Sequence, residues 1–419
     1  MSLQEIIKSK YEQALSNTTL PKTWREEAFQ AFQNSGLPTI KEEEWKYTNL
    51  KALNQVAFKQ NLSTQTAQLE KYPVDAYELV LVNGELQSQL SKISGLEKFA
   101  TLCSFKETPQ DVLEKYFNKF TPFKDGILNS NTALAQEGIC LVVKKGKVVD
   151  KPILVYHFSD SSQAPQFNIY RHLVVLEQAS QVKWIESYQS IGQETSFTNA
   201  YSEFYLHQDS ILEQDKFQHE NQKAIHVGNT QIVHLEKSNS TSGAFTWGGD
   251  IVRNNLNIHL GEEYCEAYLN GLYIGKGNQH IDNHSLVDHA KPNCYSNELY
   301  KGILDDHAKG VFNGKIWVKE DAQKTNAFQS NKSVLLSAQA TMNTKPQLEI
   351  FADDVKCSHG ATVGQLDENA LFFLRSRGIP AEKAKILLMQ AFSDDVLNKI
   401  SIPELQAYIS EKIAAQIGK

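Results

Sequence analysis

The fold turns on the reading of His172–Tyr188, HLVVLEQASQVKWIESY. β-Branched and aromatic residues recur through it, and no convincing amphipathic helix can be drawn through it. Runs of the same texture follow one another from about Gly138 to Gly364, among them SEFYLHQDSILEQDKFQ (202–218), TQIVHLEKS (230–238), DIVRNNLNIHL (250–260) and KGVFNGKIWVKE (309–320). Gly, Asn, Asp and Ser separate them, supplying the positive φ angles and side-chain-to-backbone hydrogen bonds that turns need. So long a succession of short strands needs cover for its apolar sides, as in a large sandwich, a propeller or a β-solenoid. Apolar clusters recur irregularly at roughly 20-residue intervals, the scale of one solenoid coil, and no Trp-Asp blade signature occurs. Helical segments on either side would serve as caps. The pattern favours a solenoid, with a sandwich or barrel as the alternatives.

The flanks read as helix. Ile6, Tyr11 and Leu15 fall near helical spacing, and PKTWREEAFQAFQNSG opens on Pro21 and stops at Gly36. In EEEWKYTNL (42–50), Trp45 and Tyr47 read as aromatic anchors docking this arm on the body. YELVLVNGELQSQL (77–90) places strand-type residues on both sides of Asn83-Gly84, a hairpin signal. At the other end, LDENALFFLRSRG starts on an Asp367 cap and ends at Gly378, and two further helices open near Pro380 and Pro403. The division is 1–135 for a helical and mixed region, 136–365 for the β body and 366–419 for a C-terminal helical domain. Phe372, Phe373, Leu374, Leu387, Leu388 and Phe392 give that domain a broad apolar face, read either as packing on the body or as a surface for a partner protein.

Among 419 residues, 41% hydrophobic and 22% charged fractions belong to an ordinary globular protein. A net charge of −7 argues against a broad surface for nucleic acid or anionic lipid. The N-terminus mixes Glu and Lys among its apolar residues, unlike a signal peptide, and no run reaches membrane-spanning length, so a cytoplasmic protein is expected. The five cysteines are scattered without a CxxC pair, which excludes a disulfide framework and a self-contained zinc or four-thiolate motif. No phosphate loop, GxSxG elbow or HExxH occurs.

Two stretches could carry chemistry. In QHIDNHSLVDH (279–289), His280, Asp282 and His284 project to one face of an extended chain, as metal ligands or as histidines and aspartates bonded within turns. In FADDVKCSHGATVG (351–364), Cys357 and His359 share one side of a strand. A thiol beside an imidazole serves nucleophilic catalysis or soft-metal binding, and it also occurs structurally. Two ligands cannot saturate a metal, so others would come from elsewhere in the fold or from a second chain.

TNAFQSNKSVLLS (325–337), PQLEIFADDVKCSHGATVGQLDENALFFLRSRGIP (346–380) and QHIDNHSLVDH together closely resemble the SufB/SufD family of iron-sulfur cluster assembly proteins. The short chain, the EEEWKYTNL arm and the CSHGAT form resemble its SufD branch most. The resemblance implies a right-handed parallel β-helix between two helical regions, in a complex with SufB and the ATPase SufC, and no enzyme by itself. It implies a transient iron-sulfur cluster or iron in the complex, none held stably by this chain alone, with ATP bound by SufC. His359 and then Cys357 become the leading functional residues at a SufB interface, and the face from Phe372 to Phe392 becomes a SufC surface. No role carries over to His280 and His284. A homodimer through the same strand edge is expected where SufB is absent. The rivals are a β-helix enzyme acting on polysaccharide and a homodimeric structural protein without a metal role.

Overall fold

The computed structural model describes residues 1–15, 20–59, 69–121, 125–136 and 138–418; Ser16 and Asn17, the end of the opening helical stretch, lie outside these. From Ile153 to Gly364 successive strands alternate between two sheets. One is ten-stranded, running from Glu85–Leu86 and Tyr77–Val82 through Ile153–Asp160 to Asn326–Leu335 and Lys356–Gly364. The other is nine-stranded, running from Ala100–Ser104 and Gly138–Val143 through Gln166–Leu176 to Lys309–Val318 and Thr341–Ile350. Among the described residues every strand-to-strand pairing is parallel except two at the start, Tyr77–Val82 with Glu85–Leu86 and Ala100–Ser104 with Gly138–Val143. The architecture is a parallel β-solenoid of about eight turns, which removes the sandwich and the barrel. The ten-stranded sheet already begins at Tyr77, and the hairpin there turns through Asn83 and Gly84, both at positive φ.

The coil is longer than the apolar spacing suggests. Ile225 pairs with Ile251, Ile251 with His280, His280 with Lys309, and Lys309 with Thr341, so these four coils take between 26 and 32 residues each. Each coil holds two strands, and each strand brings its own apolar cluster, so clusters recur faster than coils. The repeat that does hold register is conformational. Ala179, Asp209, Lys237, Tyr264, Asn293 and Lys324, each two residues ahead of a strand of the ten-stranded sheet, all take φ between 44° and 61°. A small buried residue follows each: Ser180, Ser210, Ser238, Cys265, Cys294 and Thr325. These fold back on the turn, Ser180 Oγ donating to the Glu177 carbonyl at 2.7 Å and Thr325 Oγ1 to that of Ala322 at 2.8 Å. Cys265 and Cys294 therefore occupy a serine-type corner position.

Inward residues such as Tyr170, Val174, Trp184, Phe204, Ile258, Tyr273 and Phe312 fill the solenoid. Helices α1 (Leu3–Ala14), α2 (Lys22–Ser35), α3 (Gln110–Tyr116) and α4 (Gly126–Leu134) cover the outer face of the nine-stranded sheet at its beginning. Leu3, Ile6, Ile7 and Phe32 pack there with Phe167, Phe197 and Val227. Gln166–Leu176 and Ser196–Leu206 are consequently buried along their whole length, which is why Leu173–Leu176 reads as an unbroken apolar run. At the C-terminus come α5 (Glu368–Ser376), α6 (Ala381–Leu397) and α7 (Pro403–Ile417). Asp367 caps α5, its Oδ1 accepting from the Asn369 and Ala370 amides. Met389, Val396, Leu405 and Ile409 of α6 and α7 pack on Phe217, Phe245, Leu272 and Ile303, the outer face of the ten-stranded sheet.

The helices thus lie along the sides of the solenoid and not across its ends, contrary to the expectation of helical caps. An amphipathic helix goes where apolar surface awaits it, and both sheets carry outward apolar residues. The first coil is closed by the two antiparallel additions. The last coil has no such closure among the described residues.

Candidate functional site at the open end of the solenoid

Among the described residues Lys356–Gly364 pairs only with Asn326–Leu335, and Thr341–Ile350 only with Lys309–Val318, so each terminal strand keeps one free edge. Pro346 sits within Thr341–Ile350, a residue that strands tolerate at an edge. Exposed apolar residues rim this end: Ile350, Phe351 at 62% exposure, and Val363.

Cys357 pairs in register with Ala327 and His359 with Gln329. Ala327 and Gln329 are buried, facing the interior, so Cys357 and His359 share the inward face of the last rung, as period-two alternation predicts. Their environments differ. Cys357 is half-buried against the cluster of Ile316, Val318, Ala322, Ala327 and Ala352, and that burial pushes its thiol above the ordinary range. His359 is exposed. In the isolated chain this is a protonated thiol beside an open imidazole. Asp353 and Asp354 lie in the preceding turn, where the Asp354 backbone bonds the Gln323 side chain and the Lys324 amide.

Below His359 in the same inward column come Gln329 and then Glu298. Gln329 Nε2 donates to Glu298 Oε2 at 2.7 Å, and burial raises the Glu298 carboxyl to about 7. The floor of the mouth is therefore polar, and its carboxyl ionises only around neutral pH, well above the ordinary carboxylate range. These two residues were not expected from sequence. The one available signal is the alternation in YSNELYKGIL, which puts a carboxylate on the inward side at Glu298.

His280, Asp282 and His284 do share one face, on the outside of the nine-stranded sheet, and the N-terminal arm lies over them. The Thr48 hydroxyl donates to Asp282 and so accepts from His280 Nε2, 2.7 Å away. Arg253 Nη1 bonds Asp282 at 2.9 Å, while His284 stands 3.0 Å from Asp282 and 3.4 Å from Glu44. Burial alone would raise Asp282, but His284 and Arg253 outweigh it and hold the carboxylate below its usual range. The Arg253 guanidinium also lies 4.0 Å over the buried Trp45 ring, whose Nε1 donates to Asp125 at 3.0 Å. Trp45 is thus the anchor its sequence setting predicts, whereas Tyr47 stays exposed, and the two histidines belong to the seam Trp45 fastens. Among the described residues no group of three or more His, Cys, Asp or Glu side chains is placed to hold a metal ion.

The apolar face of the C-terminal helices divides. Phe372, at 72% exposure, Phe373 and Leu387 point to solvent, and α5 buries none of its residues. Leu374 and Leu388 are half-buried. Phe392 instead packs on the body, with Lys301 Nζ 4.5 Å over its ring and 2.7 Å from its carbonyl. No helix is long and apolar enough to cross a membrane among the described residues.

Comparison with known proteins agrees with this geometry. Residues 8–155 match the family described as SufBD protein N-terminal region, and residues 157–392 match SUF system FeS cluster assembly, SufBD core domain. The iron-sulfur cluster assembly protein SufD of Escherichia coli is 31% identical, over 93% of this chain and 90% of that one. The SufBD family protein slr0076 of Synechocystis is also 31% identical, over 91% and 87%. Protein ABCI7 of Arabidopsis thaliana chloroplasts is 31% identical over 65% and 59%. A β-solenoid with a family match along nearly its whole length leaves one assignment: the chain belongs to the SufBD family of iron-sulfur cluster assembly proteins, and by this similarity it is SufD-like.

Proposed function

We propose that this chain works as the SufD-like subunit of a cytoplasmic scaffold with SufB and SufC, holding an iron-sulfur cluster, or iron on its way to one, at the interface with SufB. The observation that carries this reading is the open end. Two strands with free edges present their unpaired backbone groups, and strand pairing with another chain satisfies them. The partner's terminal strands would then bring side chains opposite Cys357 and His359 and complete a ligand set that these two cannot fill. The cluster is cargo here. Its assembly draws on ATP hydrolysed by SufC, and this chain catalyses no reaction by itself. The exposed Phe372 and Phe373 on α5 are the contact for SufC. Where SufB is absent, the same edges pair two copies of this chain.

The test is co-expression with SufB and SufC. His359→Ala leaves the complex intact and lowers cluster yield several-fold; an unchanged yield removes the residue from the mechanism. Replacing Phe372 and Phe373 together by alanine weakens SufC capture by about 2 kcal/mol, roughly 30-fold, while leaving the fold unaltered. These substitutions are a cleaner test than removal of the whole C-terminal domain, which would uncover the apolar surface beneath α6 and α7. Full SufC capture by the double variant contradicts the assignment.

A further inference from the structure

At the far end of the molecule from His359, Cys103 and Cys140 stand directly opposite each other on the antiparallel strands Ala100–Ser104 and Gly138–Val143. The Lys144 amide donates to the Phe99 carbonyl at 2.9 Å, and alternation along the ladder makes Cys103 and Cys140 a hydrogen-bonded pair too. Cα atoms of such a pair lie about 5.5 Å apart, inside the disulfide window of roughly 4.4–6.8 Å. Both side chains project to the outer face, into the cluster of Phe105, Leu113, Leu173 and Val175. Cys140 is buried there and Cys103 is half-exposed. A hydrogen bond between the thiols favours the thiolate on Cys103 and the protonated form on Cys140. The pair therefore has an accessible attacking sulfur and a sheltered resolving one. Cys265 and Cys294 also neighbour each other, but both are sealed in the corner column, and Cys357 has Ala327 as its ladder neighbour.

We propose that Cys103 and Cys140 form a reversible redox site, oxidised by hydroperoxides to a disulfide that staples the end strand of the nine-stranded sheet to the solenoid. The Cys103 thiolate attacks one peroxide oxygen, the O–O bond breaks, and Cys103 becomes a sulfenic acid while the other oxygen leaves as water or an alcohol. Cys140 sulfur then attacks the sulfenic sulfur and a second water leaves. With hydrogen peroxide, two thiols and one peroxide give one disulfide and two waters. A dithiol reductant reverses the step by exchange. The site is independent of the scaffold function proposed above.

The test titrates the reduced full chain with hydrogen peroxide, blocks remaining thiols with N-ethylmaleimide and maps peptides by mass without reduction. A Cys103–Cys140 linked peptide pair, lighter by two hydrogens and lost on adding dithiothreitol, forms at a lower dose than any modification of Cys357. The apparent Tm rises by several degrees with it, because the bond closes a loop in the unfolded chain. In Cys140→Ser, oxidation stops at a Cys103 sulfenic acid that dimedone traps, and the Tm rise is lost. Oxidation of Cys103 to sulfinic acid in the unsubstituted chain with Cys140 still free overturns the proposal, as does earlier modification of Cys357.

Discussion

His157 and His172 lie inside the solenoid with their Nε2 atoms 2.8 Å apart. His157 Nδ1 faces the Ser187 carbonyl at 3.3 Å, so it carries the proton there, and His157 Nε2 accepts from His172 Nε2–H. This arrangement requires both rings neutral, and burial lowers both, His172 to about 4. A folded pKa below the unfolded value of about 6.5 means that the stability is fully present above pH 6.5 and is lost as pH falls toward 4. His172 alone accounts for about 3 kcal/mol over that interval. Urea midpoints should therefore decline steadily from pH 6.5 to 4.5, and the decline should be shallower in His172→Gln; parallel curves for the two proteins would contradict the buried-neutral assignment. At this scale the sequence was readable where local geometry suffices. Period-two alternation placed Cys357 with His359 and His280 with Asp282 and His284. It could not place Gln329 and Glu298 beneath His359, because neighbours in a solenoid lie one coil apart and coil length varies along the chain.

Strands were legible from their β-branched and aromatic runs, whereas the coil was not, and the corner shows why. Six successive coils place a left-handed residue at the same point, yet Ala, Asp, Lys, Tyr, Asn and Lys fill it. The backbone repeats while the side chains do not, since a turn demands a φ angle and several residues can meet it at some cost. That cost is testable at Ala179, where φ is 57° and little side chain is lost on substitution. Ala179→Gly should be neutral or stabilising by up to about 1 kcal/mol, and Ala179→Val destabilising by more than about 1 kcal/mol, measured by thermal unfolding. The reverse order would show that the corner carries no strain. The expected helical caps failed for a related reason. Sequence shows that α1, α2, α6 and α7 flank the strands, but only the outward residues of both sheets, Phe167 and Phe197 on one and Phe217 and Phe245 on the other, fix where they dock.

As a whole, the molecule is closed at one end and along both flanks, and open at the other end. Its N-terminal helices and arm cover one sheet, its C-terminal helices cover the other, and the first coil is finished by antiparallel strands. At the last coil the free edges, the exposed Phe351 and Val363 and the inward Cys357 and His359 coincide. The proposed function makes this end a strand-pairing surface for a partner of the same family. Amide hydrogen exchange tests it most directly, because free edge amides exchange rapidly and paired ones are protected. Measured alone and then in complex with SufB and SufC, the amides of Lys356–Gly364 and Thr341–Ile350 should gain protection while the interior strands Gln166–Leu176 and Ser196–Leu206 stay unchanged. A stable complex in which those two edge strands exchange as fast as in the free chain would rule out strand pairing at this end.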